Sequence, residues 1–199
     1  MRVSDALDNF TRFPVIAAAL ATIALAVAIL AGPSFSDARK VDGNCANAQL
    51  QPEDLTVDEA QDAVLCLLNK RRAAAGMGPL DHNNKLLAAA NQHNSYMLKH
   101  ACFAHQCSGE ASMTTRIKSK GYLSGAMSWQ IGENIAWGEE GLATPAAIVD
   151  AWMNSPGHRA NILNPSYDEI GISAGGGRPG EARHSNAATY TTDFGRTSG

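Results

Sequence analysis

The chain has 199 residues, a formal net charge of −3 and 18% charged residues, which suits one domain carrying a terminal appendage. A near-neutral balance without a basic cluster excludes an electrostatic nucleic-acid binder. An apolar share of 45% with only 6% aromatics excludes a disordered polar chain and points to an alanine-rich packed core.

At the N-terminus Arg2 and Arg12 precede the uncharged run Val15–Ala31, Gly32-Pro33 breaks that run, and Ser36 and Ala38 offer a small-residue cleavage site. This is the order of a secretory signal peptide. The run is long for a signal and short for a span, so residues 1–38 are expected to be a cleaved signal or an uncleaved membrane anchor, and both imply export. Cys45, Cys66, Cys102 and Cys107 all follow it, and an even count in an exported chain reads as two disulfides. Cys102–Cys107 is the natural short loop, which leaves Cys45 to pair with Cys66. The alternative is a metal site, since Cys102, His105 and Cys107 are ligand types at workable spacing, although thiolate sites are less at home in an oxidising compartment.

Residues 39–55 read as a tail tied down by Cys45. Thr56-Val57-Asp58-Glu59 is a capping box, opening a helix to about Ala75 with Val57, Ala60, Val64, Leu67 and Leu68 on one apolar face. Lys70, Arg71 and Arg72 suit the negative pole of its dipole, and Gly76 and Gly78-Pro79 end it. After a connector at Leu80–Asn84, Lys85–His100 forms a second helix. Its apolar stripe of Leu86, Leu87, Ala90 and Met97 includes His93, expected as a hydrogen-bonded core histidine rather than a ligand. His100 is expected to cap the helix C-terminus, and His82 to face solvent. Thr114–Gly121 reads as a short helix with Arg116 and Lys120 outward, and residues 122–130 as an irregular connection. Ile131–Trp137 alternates as a strand ending at Gly138, with Glu133 between apolar neighbours.

Thr144-Pro145 is an N-cap with proline at the first helical position, and the helix to Asn154 buries Ile148, Val149 and Trp152. Ser155-Pro156-Gly157 breaks it and sets His158 at a corner, where a second short helix runs to Leu163. Glu169–Ala174 is expected as a strand, Gly175–Ser185 as a loop and Ala188–Gly195 as the last strand. Helices early and strands late point to an α+β sandwich with a mostly antiparallel sheet.

The common catalytic patterns are missing. Gly171-Ile172-Ser173-Ala174-Gly175 matches G-x-S-x-G, but that motif needs a helix after its turn and Gly176-Gly177-Arg178-Pro179 follows instead, so the glycines are expected to form a hairpin loop. No H-E-x-x-H, phosphate-loop or dinucleotide fingerprint occurs. What remains is His105 on a loop, Glu133 on a strand and His158 at the helix break. Two imidazoles and a carboxylate can hold a divalent ion such as Zn²⁺ with one position open, or form a self-satisfied hydrogen-bond network.

Phe103-Ala104-His105, Gly132-Glu133-Asn134-Ile135-Ala136-Trp137-Gly138, Ala151–Leu163 and Tyr190-Thr191-Thr192-Asp193-Phe194-Gly195 together resemble the CAP superfamily, the family of cysteine-rich secretory proteins, antigen 5 and pathogenesis-related 1 proteins. The resemblance spans about residues 58–195 within an expected CAP (SCP) domain at 56–199, in the manner of the short bacterial members. It implies a three-layer α-β-α sandwich and a central cleft whose His/Glu tetrad binds a divalent metal, Zn or Mg. Carried over, the tetrad positions are His105, Glu133 and His158, while Ser155 stands where the fourth, acidic member belongs. Asn134 joins the cleft set, with Arg159 a further supporting group and Asp193 a second carboxylate whose spacing gives no argument. The leading expectation is an exported, non-enzymatic protein binding a metal or a small apolar ligand such as a sterol or fatty acid. The competing readings are a metal-dependent hydrolase, in which His105 and His158 hold the ion and Glu133 shuttles protons, and a cell-envelope interaction module with a vestigial cleft.

Overall fold

The first helix, α1 (Val57–Ala74), forms where the capping box demands it: the Thr56 hydroxyl accepts from the Glu59 amide at 3.2 Å, and Glu59 accepts from the Thr56 amide at 2.9 Å. In this computed structural model, which describes residues 45–182 and 186–199, the expected signal or anchor at 1–38 lies outside the described residues, as does the tail up to residue 44. α2 (Asn84–His100) starts on the Asn83 side chain, which accepts from the Lys85 and Leu86 amides, and ends at Ala101 in the left-handed region, φ 53°. α3 (Met113–Ser119) is capped by Ser112 and α4 (Pro145–Asn154) by Thr144 with Pro145 in its first turn. Ser155 ends α4, and Pro156 restarts the chain as α5 (Pro156–Ile162).

The strands are β1 (Asp81–His82), β2 (Ser128–Glu139), β3 (Glu169–Arg178), β4 (Glu181–Ala182) and β5 (Ala187–Ser198). Their order is β1-β3-β5-β2, with β4 folded back on β3; only the β1–β3 pair is parallel. The sheet separates two helical layers. On one side α1, α4 and α5 bury Val64, Leu67, Leu68, Trp152 and Ile162 against Ile170, Ile172, Tyr190 and Phe194. On the other, α2 and α3 pack through Leu86, Ala89, Ile117 and Met97, the last against Ile135. This is the three-layer α-β-α sandwich with a mostly antiparallel sheet. Both expected disulfides, Cys45–Cys66 and Cys102–Cys107, are formed, so no cysteine is left as a thiolate ligand.

Several local expectations need correction. Residues 128–130 are strand rather than connection, because β2 pairs residue for residue with β5 from Ser128↔Ser198 to Glu139↔Ala187. Asp81 and His82 in the expected connector form the parallel edge strand. Val57 is 51% exposed, the buried face of α1 being carried by Ala60, Ala63, Val64, Leu67 and Leu68. Arg72 is not a surface dipole partner but a buried clamp: its guanidinium donates to the carbonyls of Gly78, Ile162, Asn164 and Tyr167, tying the end of α1 to the turns around α5. Arg116, expected outward, is fully buried for a reason given below.

The glycine run is strand, not loop. β3 continues to Arg178, and its 171, 173 and 175 positions share the face toward α2. A Cβ at Gly171 would overlap the main chain of Leu86 and Leu87, and one at Gly175 would stand 2.9 Å from Asn94 Nδ2. The glycines thus let α2 lie directly on the sheet, and Ser173 between them is 3% exposed, out of reach of any substrate. The Gly171→Ala variant is expected to lose about 3 kcal/mol in urea unfolding, because the helix must lift away. Gly176→Ala, where no atom lies within 4 Å of the added Cβ, is the control and should stay within about 0.5 kcal/mol.

Candidate functional site

The disulfide closes a five-residue separation around Phe103-Ala104-His105-Gln106, so the loop at the end of α2 presents His105 in one orientation. Its Nδ1 donates to Glu133 Oε1 at 2.9 Å, while its side chain stays 60% exposed. Glu133 itself is buried in the middle of β2. Its second oxygen, Oε2, accepts from Arg116 Nη2 at 2.5 Å. The Arg116 guanidinium also donates to the main-chain carbonyls of His105 and Ala111. One buried cation therefore holds the His105 loop, α3 and β2 together, which is why a residue with an outward-looking position in the sequence turns inward.

A second buried carboxylate, Glu110, stands 3.6 Å from Arg116. It accepts from His93 Nδ1 at 2.8 Å and from the Cys107 amide at 3.2 Å. His93 is fully buried and hydrogen-bonded, as its place on the α2 stripe implies, and its Nε2 lies 3.8 Å from Glu133 Oε1. Asp193 completes the cluster. The β2–β5 register sets it directly opposite Glu133 on the same face, and neither of its carboxyl oxygens has a hydrogen-bond partner among the described residues.

The two facing carboxyls titrate in opposite directions. Burial alone would raise the Glu133 pKa, but the His105 hydrogen bond and the charges of His93, Arg116 and His105 outweigh it, and the net shift is down. Asp193 lacks such donors; burial, reinforced by the Glu133 charge, holds its pKa well above the carboxylate range despite Arg116. Glu133 is thus the ionised member and Asp193 the neutral one.

Asn134 belongs to the other face of the sheet. Its Nδ2 donates to the His158 carbonyl at 3.1 Å, and its Oδ1 accepts from Asn161 Nδ2 at 2.9 Å. Asn161 Nδ2 also reaches the Glu133 carbonyl at 3.1 Å. Next along the strand, the Ile131 carbonyl accepts from Tyr167 Oη and the Ile135 carbonyl from Trp152 Nε1. The His158 helix is stapled to β2 by its backbone and by Asn161. Of the residues singled out by sequence, the structure joins His105 directly to Glu133. Asn134 is directed toward α5, and Arg159 is exposed on that helix. Ser155 marks the α4–α5 junction.

The donor set does not fit a divalent cation. Each Glu133 oxygen already accepts a hydrogen bond, a guanidinium sits against one of them, and Asp193 is held neutral. Among the described residues no group of three or more His, Cys, Asp and Glu side chains is arranged to hold an ion. Sequence reasoning missed Arg116 and Glu110. The signal available for Arg116 was its place beside Ile117 in a short helix, one turn from residues that must pack inward.

The profile of the cysteine-rich secretory protein family, CAP, matches residues 65–192. The chain belongs to the CAP family. CAP relatives in Bacillus subtilis (strain 168) include the uncharacterized protein YkwD, 36% identical over 118 residues, covering 59% of this chain and 43% of that protein. The uncharacterized membrane protein YlbC of the same organism is 32% identical over 117 residues, covering 59% of this chain and 31% of that protein. The chain therefore spans less than half the length of either relative. In fold it is similar to an extracellular SCP-domain protein of Bacillus anthracis, with TM-score 0.55, 22% identity and coverage of 69% of this chain and 40% of that one. It is also similar to an outer surface protein of Borrelia burgdorferi, with TM-score 0.58, 19% identity and coverage of 72% and 97%. This is a CAP domain of bacterial type, and among its described residues no helix is long and apolar enough to cross a membrane.

Two variants test the electrostatics of this CAP domain. Glu133→Gln leaves Arg116 buried beside a neutral partner and is expected to cost about 3 kcal/mol, most of it recovered by adding Arg116→Met, as read by chemical denaturation. Asp193→Asn acts the other way. Because the folded state keeps a proton that the unfolded chain has lost above about pH 4, Asp193 draws stability down as pH rises. The Asn variant should therefore gain about 1 kcal/mol or more at pH 7 and show a flatter stability profile between pH 4 and 8. Glu133 has the opposite sign, its contribution being lost as pH falls below its ordinary value of 4.5.

Proposed function

We propose that this chain is an exported, non-enzymatic CAP protein that binds a component of the cell envelope. The observation that carries the reading is the commitment of both Glu133 oxygens, one to His105 and one to Arg116. A carboxylate so held is buried, has a depressed pKa and has each oxygen engaged by a protein donor, so it serves as the anchor of His105 rather than as a proton shuttle. Neither nucleophile type weighed from the sequence stands in for it: Ser173 is buried within a strand, and all four cysteines are in disulfides. His105 keeps its outer edge exposed on a pinned loop, which suits a fixed contact to a partner.

Export is supported by the two disulfides, by the signal-like order of residues 1–38, and by similarity in fold to proteins described as extracellular and as outer-surface. As for ligand type, a cavity of about 420 Å³ between the His105 loop, β2 and the β3–β4 hairpin carries Arg178 and Glu181 in its wall beside Phe103 and Trp137. A mixed wall favours a ligand with polar and apolar faces over a sterol or a fatty acid, which require a continuous apolar lining.

The purified chain should show no Zn²⁺- or Mg²⁺-dependent turnover on a panel of peptides and esters, and no metal-induced rise in Tm. Turnover that requires metal and disappears in both His105→Ala and His158→Ala would overturn the non-enzymatic reading in favour of the hydrolase.

A further inference from the structure

We infer that the cavity between Phe103 and Trp137 is a saccharide-binding subsite. The inference rests on the reading of the chain as a binding protein of the cell envelope and names the ligand class. The end of α2 and the disulfide loop after it give Ala101 and Phe103, β2 gives Trp137, and the hairpin gives Arg178, Pro179 and Glu181. At about 420 Å³ it falls within the usual range of small-molecule sites, about 300–1,000 Å³.

The chemistry of the wall selects among ligands. Arg178 is bracketed by carboxylates, with Nη1 3.0 Å from Glu139 and Nη2 2.6 Å from Glu181, so the three side chains together carry one net negative charge. A fatty-acid carboxylate or a phosphate arriving there meets a cation already neutralised and an excess acid. A sugar ring meets what it needs. Its C–H face packs on indole and phenyl π-surfaces, and its rim of hydroxyls takes donors from a guanidinium and acceptors from the carboxylates paired with it. Phe103 stands on the Cys102–Cys107 loop and packs on the Met97–Cys107–Ile135 cluster, and the strand pairing Trp137↔Thr189 fixes the main chain that carries Trp137, so the backbone bearing both aromatic walls is set before a ligand arrives.

Trp137 also stands two strand positions beyond Ile135 on the face that carries Glu133, so the subsite continues the same side of the sheet that His105 overhangs. The sheet between the two is covered at Ile135 by Met97 and Cys107, so a saccharide of several units leaves the cavity over the outside of the disulfide loop, where His105 is exposed. That geometry gives His105 a role in contacting a neighbouring ring without any demand for acid–base chemistry.

The test is isothermal titration of the full chain with three probes: the trimer of N-acetylglucosamine, the corresponding amino-bearing trimer of glucosamine, and laurate. We expect saturable binding of at least one saccharide, weakened about tenfold or more by Trp137→Ala and several-fold by the milder Glu181→Gln. Thermal melts of both variants establish that they are folded, and the Gln variant keeps the test decisive if the Ala variant is not. Absence of binding by both saccharides overturns the subsite, as does laurate binding that Trp137→Ala abolishes, which would give the cavity to a lipid. Saccharide binding unchanged in both variants places the sugar elsewhere and also overturns it. None of these outcomes bears on the non-enzymatic reading, which fails only if metal-dependent turnover is found.

Discussion

The buried pair of Arg116 and Glu133 is the constraint from which the site side of this molecule takes its form. Two ionised groups with almost no solvent contact are stable only if each satisfies the other and the remaining hydrogen-bonding positions are filled. Here most of them are filled by the structure's own joints, with Arg116 Nε left without a hydrogen-bond partner among the described residues. Arg116 gathers the carbonyls of His105 and Ala111, and Glu133 gathers the His105 ring, so the charge pair fixes the loop, the short helix α3 and the central strand relative to one another. Glu110 and His93 extend the network into α2. What looks in sequence like an assembly of reactive groups is, in the folded protein, the polar core beneath a surface loop.

The same pair explains the split between the two facing carboxyls. Once Glu133 is ionised and supplied with donors, a second negative charge directly across the strand pair has no counterpart, and Asp193 keeps its proton. The divergence needs no metal and no substrate. It follows from strand register together with the donors gathered on the Glu133 side, the His105 hydrogen bond first and then the charges of His93 and Arg116.

The local signals in the sequence were strong where the physics is local. The capping box at Thr56, the Thr144-Pro145 start, the break at Pro156 and the Cys102–Cys107 pairing each rest on a few adjacent residues, and the structure has them all; Cys45–Cys66, 21 residues apart, followed as the remaining pair. Non-local register was not readable: the pairing that extends β2 back to Ser128, and the one that puts Asp193 opposite Glu133, are set by a partner strand more than fifty residues away. The glycines of β3 misled for a related reason, since only contact with α2 distinguishes a glycine needed for close approach from one needed for a turn. In the site, His105 and Glu133 were legible as chemistry and do meet. Arg116 was not, because a basic residue on a short helix reads as a solvated face unless a buried acid is known to wait for it.

The staple between β2 and the His158 helix has one more consequence. Among the described residues β2 lies at the end of the sheet and pairs with β5 alone, so half of its main-chain polar groups join no ladder there. Tyr167, Asn161 and Trp152 occupy three successive alternate carbonyls of that strand, those of Ile131, Glu133 and Ile135. A foreign strand seeking to extend the sheet finds these three central acceptors already engaged. The motif around Asn161 thereby guards the protein against edge-to-edge aggregation, a duty for which a tightly held side chain is better suited than a reactive one.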